Sequence, residues 1–373
     1  MPIPQQNRPS AARALRALLA LGLLALLLAC PAESIQGIAE GLRCCAGQII
    51  PALFPFFVVT NLIANGPAAQ LLGRAMRPAA KVLGLKSPQA STALLLGWLG
   101  GFAVAANCTA QLYSGGRLNK QEAERLLVSA VGSGPAFVVN SVGLLMLGSH
   151  RAGILLMASL LLANAACGLL ARPAPGSQSA HYPPQPGPAH CGDAGLVGAV
   201  RRAVDSTLTV CGFVLFFRFL CVVLSRFAPR GGWAQFVLSA ALEVTSGCLA
   251  GAQLGPAGVY ACCAALSVQS LSVLLQVRAL LPKELSMRPL LCCRAAHLAL
   301  SLLFLRIGLR LWPAEAEAFS SLAPQVLLRR RMPLDAALLL LFLCCTVLRT
   351  LAPGRPAGRK KAASPQGPVK GKG

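Results

Sequence analysis

Charge is scarce in this chain, and acidic charge most of all: of 373 residues only 12% are charged, with 11 Asp and Glu against 34 Lys and Arg. So few carboxylates leave little room for acid–base pairs or oxygen-ligand metal sites. Histidine is scarcer still: the chain has four. His181 and His190 sit in a proline-rich stretch, His150 in a turn and His297 in an apolar block, so they form no ligand set. The patterns Gly-x-Ser-x-Gly, His-Glu-x-x-His, Gly-x-x-x-x-Gly-Lys and Cys-x-x-Cys are missing. The sequence therefore predicts no enzyme, no cofactor and no metal. Aromatic residues make up 5%, and no basic stripe is interleaved with them, which argues against nucleic-acid binding.

What fills the chain instead is apolar. Hydrophobic residues reach 55% and come in long blocks, the mark of an integral membrane protein whose partner is the lipid bilayer. The length allows about eight to ten transmembrane or re-entrant helices, so the fold class is an all-α polytopic membrane protein. The surplus of positive charge, +23 in all, gathers at the N-terminus, in short loops and in the C-terminal tail, where it sets topology and meets anionic lipid. The 15 cysteines lie mostly within apolar runs, several as adjacent pairs such as Cys262-Cys263, and read as small packing residues.

The blocks divide the chain into six parts. Residues 1–39 hold an N-terminal helix, Ala11 to Cys30, that follows Arg8, Arg13 and Arg16. Residues 40–171 form a first membrane half, and 172–195, "RPAPGSQSAHYPPQPGPAHCGDAG", a solvated linker. Residues 196–312 form a second half, 313–352 a C-terminal transmembrane region and 353–373 a basic disordered tail. Within the first half, Pro51 and Pro55 of "PALFPFF" should kink or split a helix. "AAQLLGRAMRPAAKVLGLK", Ala68 to Lys86, reads as a helix lying in the cytoplasmic interface.

Two further segments carry their own interruptions. Ser91 to Tyr113 contains Gly97, Gly100 and Gly101 and then the polar residues Asn107, Thr109 and Gln111, while Leu126 to Leu147 is broken by Gly132-Ser133-Gly134-Pro135, followed by Asn140 and Ser141. Between them Asn119 can cap a helix starting at Lys120. A helix interrupted at membrane depth frees backbone groups that cost several kcal/mol each if left unpaired, so such a break survives only where protein buries it or a polar cavity solvates it. It marks either a solute site or a packing kink in which small residues let helices approach. Glu243, in "LSAALEVTSGCLAG", is the one acid well inside an apolar block; it serves as a proton or cation coupling site, or as a hydrogen-bonding partner of Thr245 and Ser246. Gln269 and Gln276, seven residues apart, fall on one face of a helix with Ser272 between them. Loose similarity between the stretches starting at Gly100 and Gln269 suggests an internal repeat, a plan that many secondary transporters share.

In order along the chain, "PALFPFF", "SGGRLNKQEAERLL", "SGPAFVVNSVGLLML", "LEVTSG" and "LSVLLQV" resemble the YlbJ-type sporulation integral membrane proteins, which contain nucleoside-recognition, or Gate, domains. The likeness spans about residues 40 to 310. It implies two Gate-like half-repeats with broken helices, a place in the bacterial cell membrane or outer forespore membrane, and transport of a small polar or anionic solute during spore maturation, with dipicolinate the suggested cargo. A non-transporting sporulation scaffold and a nucleoside carrier are the alternatives it leaves. Carried over by motif, the solute-binding residues are Ser133, Gly134, Pro135, Glu243, Thr245, Ser272 and Gln276, joined by Asn107, Thr109 and Asn140 from the reading of the breaks. The chain departs from the family pattern at "GFAVAA", Gly101 to Ala106, where a Gly-Tyr-Pro-x-Gly-Ala motif is usual, and at Gly132, where Asn is usual.

Overall fold

A computed structural model describes residues 11–65, 68–172, 195–228 and 232–312, which fall within a single compact unit. The linker, the C-terminal transmembrane region and the tail expected from the sequence lie outside the described residues. Within them every regular element is a helix. In chain order these are α1 (Ala11–Ala29), α2 (Pro31–Cys44), a π segment (Cys45–Ile49), α3 (Ile50–Asn65), α4 (Ala68–Val82), α5 (Pro88–Gly100), α6 (Phe102–Ser114) and α7 (Lys120–Ala130). A long π segment (Ala136–Met146) and α8 (His150–Leu170) complete the first half. The second half comprises α9 (Leu196–Ser225), α10 (Gly232–Leu242), α11 (Val244–Ala252), a 3-10 turn (Gly255–Ala257), α12 (Gly258–Val268), α13 (Leu271–Leu280) and α14 (Arg288–Leu311).

Four stretches are long and apolar enough to cross a bilayer: His150–Leu170, Leu196–Ser225, Gly255–Leu280 and Arg288–Leu311. A fifth arises if α1 and α2, bent by 100° at Cys30, count as one. The protein is thus an all-α polytopic membrane protein. Its remaining apolar helices are short because they are broken in the middle, and the hydrogen bonds at their ends show where each one lies.

The backbone N–H groups of Lys86 and Ser87, just before α5, both donate to Glu122 Oε1 in the first turn of α7 (2.7 and 2.6 Å). Since α6 ends in the 115–119 turn that leads into α7, the two ends of the α5–α6 pair lie at one face of the protein, and its tip, Gly101, lies inside. That is a re-entrant hairpin. A second hairpin, α10–α11, is built the same way: Gly232 at its start lies beside Leu254 at its end. Its tip is Glu243. The second hairpin enters from the other face, where the end of α11 and the 3-10 turn share a cavity of about 440 Å³ with Leu145 and Met146 of the long π segment.

Each hairpin is followed by an interrupted helix (α7 with the long π segment; α12 with α13) and then by a straight one (α8; α14). Two contacts fix the directions. Glu124 in α7 accepts from the Ser286 N–H in the turn before α14 (2.9 Å), and Arg151 in α8 stacks over Trp312 at the end of α14. The two halves therefore repeat one plan with opposite orientation in the membrane, the inverted arrangement common among secondary transporters. Arg117, Arg125 and Arg172 gather at the first face, beside Ser87 and Gly84. Helix α4, with Arg74, Arg77 and Lys81, lies against α5 from the same side.

Local sequence accounts for several elements. Asn119 Oδ1 accepts from Glu122 N at 2.8 Å and so starts α7 as expected. Pro55, by contrast, sits inside a continuous α3, and the register change falls one turn before Pro51, in the π segment Cys45–Ile49. Gln269 and Gln276 do not share one helical face either. Gln269 takes a left-handed φ of 57° at the break between α12 and α13, so the helical register restarts at Leu271.

Candidate functional site

The two breaks singled out in the first half meet backbone to backbone. Gly101 has φ 84° and ψ −172°, a conformation that an L side chain rarely adopts. A Cβ placed on it would come within 2.9 Å of the Gly134 nitrogen, and one placed on Gly134 within 3.3 Å of the Gly101 nitrogen. Gly101 therefore requires glycine, and at Gly134 a side chain would force the facing backbone to shift by a few tenths of an ångström. Neither helix that leaves it has a side-chain cap: α6 starts at Gly101 and the long π segment at Pro135 without one. Helix geometry leaves the N–H groups of Phe102, Ala103 and Val104 at the start of α6 without an intrahelical acceptor, whereas at the start of the π segment Pro135 has no N–H and Phe137 and Val138 both donate to the Gly134 carbonyl (3.2 and 3.0 Å). Two positive helix ends converge there, an arrangement suited to oxygen atoms of a solute.

Side chains from three other helices surround the crossing. Gln269 Nε2 donates to the Val131 carbonyl at 3.1 Å and closes the C-terminal end of α7, which ties the break in the second half to the break in the first. Asn164 of α8 lies against Gly132, at the position where the resembled family carries Asn. Trp98 Nε1 donates to Ser129 O (2.9 Å). The side-chain oxygens of Asn164 and Gln269 are buried and make no hydrogen bond.

The other expected site residues form three groups nearby. Asn107 Nδ2 donates to Asn61 Oδ1 at 3.4 Å, Gln111 Nε2 bonds the same oxygen, and Asn61 Nδ2 donates to Ala199 O at 3.3 Å, so an amide cluster joins α3, α6 and α9. Thr109 turns away from it and donates to Ala105 O of its own helix (2.7 Å). On α13, Gln276 Nε2 donates to Ser272 Oγ (2.9 Å), while the Gln276 oxygen is buried without a partner. Helix α13 packs against α6.

Glu243, 4% exposed, is the side-chain cap of α11. Its carboxylate accepts from Thr245 N (2.8 Å), Ser246 N (2.7 Å) and Ser246 Oγ (2.8 Å). Arg218 of α9 donates to Ser246 Oγ and pairs with Glu40 of α2 at 2.9 Å. A chain of polar contacts thus runs from Glu40 through Arg218 and Ser246 to the tip of the second hairpin. Thr245 takes part through its backbone, and Asn140 lies half-buried on the long π segment, against which α11 packs. None of the ten residues expected to bind solute lines the 440 Å³ cavity.

Sequence reasoning missed Arg294. It stands two turns into α14, 7% exposed, with Nη1 3.5 Å from Ser267 O in the last turn of α12 and Nε 3.4 Å from Leu290 O. A cation inside "LLCCRAAHLALSLL" was the available signal. Beside it Ser301 Oγ and Ser267 Oγ are 2.5 Å apart, and His297 lies against the Leu160 carbonyl without closing a hydrogen bond to it.

With this geometry in hand, comparison with known proteins gives one curated relative, the sporulation integral membrane protein YlbJ of Bacillus subtilis (strain 168), 27% identical over 152 residues. The aligned stretch is 41% of this chain and 37% of the relative, so the chain matches well under half of that protein's length. No family model matches, and no solved structure does. The chain is therefore a membrane protein of a cell membrane with distant similarity to a sporulation protein.

Proposed function

We propose that this chain is a carrier for a small polar or anionic metabolite in a membrane of the sporulating cell, and that the solute sits where Gly101 crosses Gly134. Dipicolinate, moved toward the forespore across its outer membrane, is the cargo that the YlbJ-type resemblance implies. The observation carrying this reading is the crossing itself, which leaves two uncapped helix starts within the apolar body. Unpaired N–H groups there cost several kcal/mol each in hydrocarbon, and a solute that brings oxygen atoms recovers that cost. The inverted repeat supports alternating access, in which the two hairpin tips uncover the crossing to opposite faces in turn.

Uptake of labelled dipicolinate, and separately of a nucleoside, into liposomes holding the purified protein tests the proposal. Dipicolinate uptake that is lost in Gly134→Ala and reduced in Ser133→Ala is the expected result. Nucleoside uptake alone would replace the cargo and keep the site. If neither solute enters or binds, while the full-length protein still supports sporulation in a manner that depends on its basic tail, the chain is a scaffold.

A further inference from the structure

Inverted-repeat carriers commonly hold a coupling cation on the carbonyls at the C-terminal ends of broken helices, where the helix dipole is negative and no N–H follows to pair them. The break after α12 is such a place: α12 ends at Val268, Gln269 turns left-handed, and the Ser267 carbonyl belongs to the last turn, whose carbonyls have no following helical N–H. In this chain that carbonyl already has a cation. The guanidinium of Arg294 reaches it from α14, almost wholly buried, and among the described residues no carboxylate pairs with it. A buried cation without a carboxylate is costly in a bilayer, so it persists where something else compensates the charge. Here the guanidinium meets the negative end of α12 through one 3.5 Å contact, and its Nη2 is buried without a partner.

We infer that Arg294 is a tethered cation standing where a mobile coupling ion would otherwise bind, so that the α12–α13 break holds no alkali ion during the cycle. The inference rests on the carrier reading for the word coupling, but the occupancy of the break by a fixed charge does not. The opposite end of the second half is arranged in the same manner, since Glu243 is a tethered anion on the N-terminus of α11. The end of α12 and the start of α11 thus carry their counter-charge on the chain, and coupling, where it occurs, falls to a proton or to an ion held elsewhere.

The test needs no solute. Thermal unfolding of the full-length protein in detergent is followed in choline chloride, in NaCl at equal ionic strength, and with low millimolar guanidinium. Wild type and Arg294→Lys should unfold alike in all three. Arg294→Ala should unfold at a lower temperature in choline and recover by a few degrees, saturably, with Na+ or guanidinium, because a vacated cation site binds what fits it. If Arg294→Ala yields no folded protein in any salt, the outcome rests on Arg294→Lys, whose folding and indifference to Na+ support the inference. The inference is overturned if Arg294→Ala is as stable as wild type in choline, if Arg294→Met restores full stability without added cation, or if Arg294→Lys fails as badly as Arg294→Ala. Solute binding by wild type, measured separately, decides the carrier reading and leaves these outcomes untouched.

Discussion

At the first hairpin's tip Gly101 lies on Gly134 with no side chain capping the helices that leave the crossing, whereas at the second hairpin's tip Glu243 takes three hydrogen bonds and closes the start of α11 itself. The contrast continues along the interrupted helices. In the second half the break after α12 is met by Arg294, while in the first half the break after α7 is met by neutral amides, Gln269 on Val131 and Asn164 beside Gly132. Two halves built to one plan thus treat their broken ends differently. The second half meets the start of α11 and the end of α12 with charged side chains, whereas the first meets the end of α7 with an amide and leaves the start of α6 without a side-chain cap.

Substitutions can break this contrast from either side. The largest effect is expected from Gly101→Ala. The added methyl meets the Gly134 backbone and the residue must keep φ 84°, so stability should fall by about 3 kcal/mol in chemical or thermal unfolding and solute binding should disappear. Glu243→Gln comes next. The amide presents one oxygen to three donors, which should cost roughly 1–3 kcal/mol of stability. Because that charge serves its own helix, solute affinity should change by less than about threefold, under roughly 0.7 kcal/mol by titration calorimetry. An affinity loss matching that of Gly101→Ala would erase the distinction between the halves.

Smaller effects sharpen the picture. Gln269→Leu removes the bond to Val131 and strands that carbonyl, with a stability loss of about 1–2 kcal/mol by denaturant titration. Thr109→Val should be nearly silent, within about 0.5 kcal/mol and with unchanged uptake, since its hydroxyl bonds only its own helix. A large uptake defect in Thr109→Val would extend the solute path along α6, two turns beyond its start.

How far the sequence foretold this follows from the kinds of signal each residue carries. Glycine pairs and Gly-Ser-Gly-Pro interrupt a helix by local chemistry, so the breaks at Gly101 and Gly134 were legible, and so was the cap at Asn119. Their meeting was not, because a backbone crossing between residues 33 apart leaves no periodicity to read. The re-entrant course of α5–α6 was hidden as well: Ser91 to Tyr113 has the length of one span, and only the bonds from Lys86 and Ser87 to Glu122 bring its ends to one face. Glu243 was singled out for its depth, and of the two roles read for it the structure displays hydrogen bonding at Thr245 and Ser246. Gln269 and Gln276 misled because helical spacing was carried across a break that no glycine or proline announces. Arg294 escaped notice because a basic residue near a helix end ordinarily extends to the interface, and its burial depends on α12 lying alongside.

The account stands or falls on the bare helix ends of the first half. Hydrogen–deuterium exchange of the purified protein with and without dipicolinate reports on them directly, amide by amide. Slower exchange on adding solute, concentrated at Phe102 to Val104 and at Ala136, is the predicted result. Protection confined to the residues around the Leu145 and Leu249 cavity, with those four amides unchanged, would contradict it.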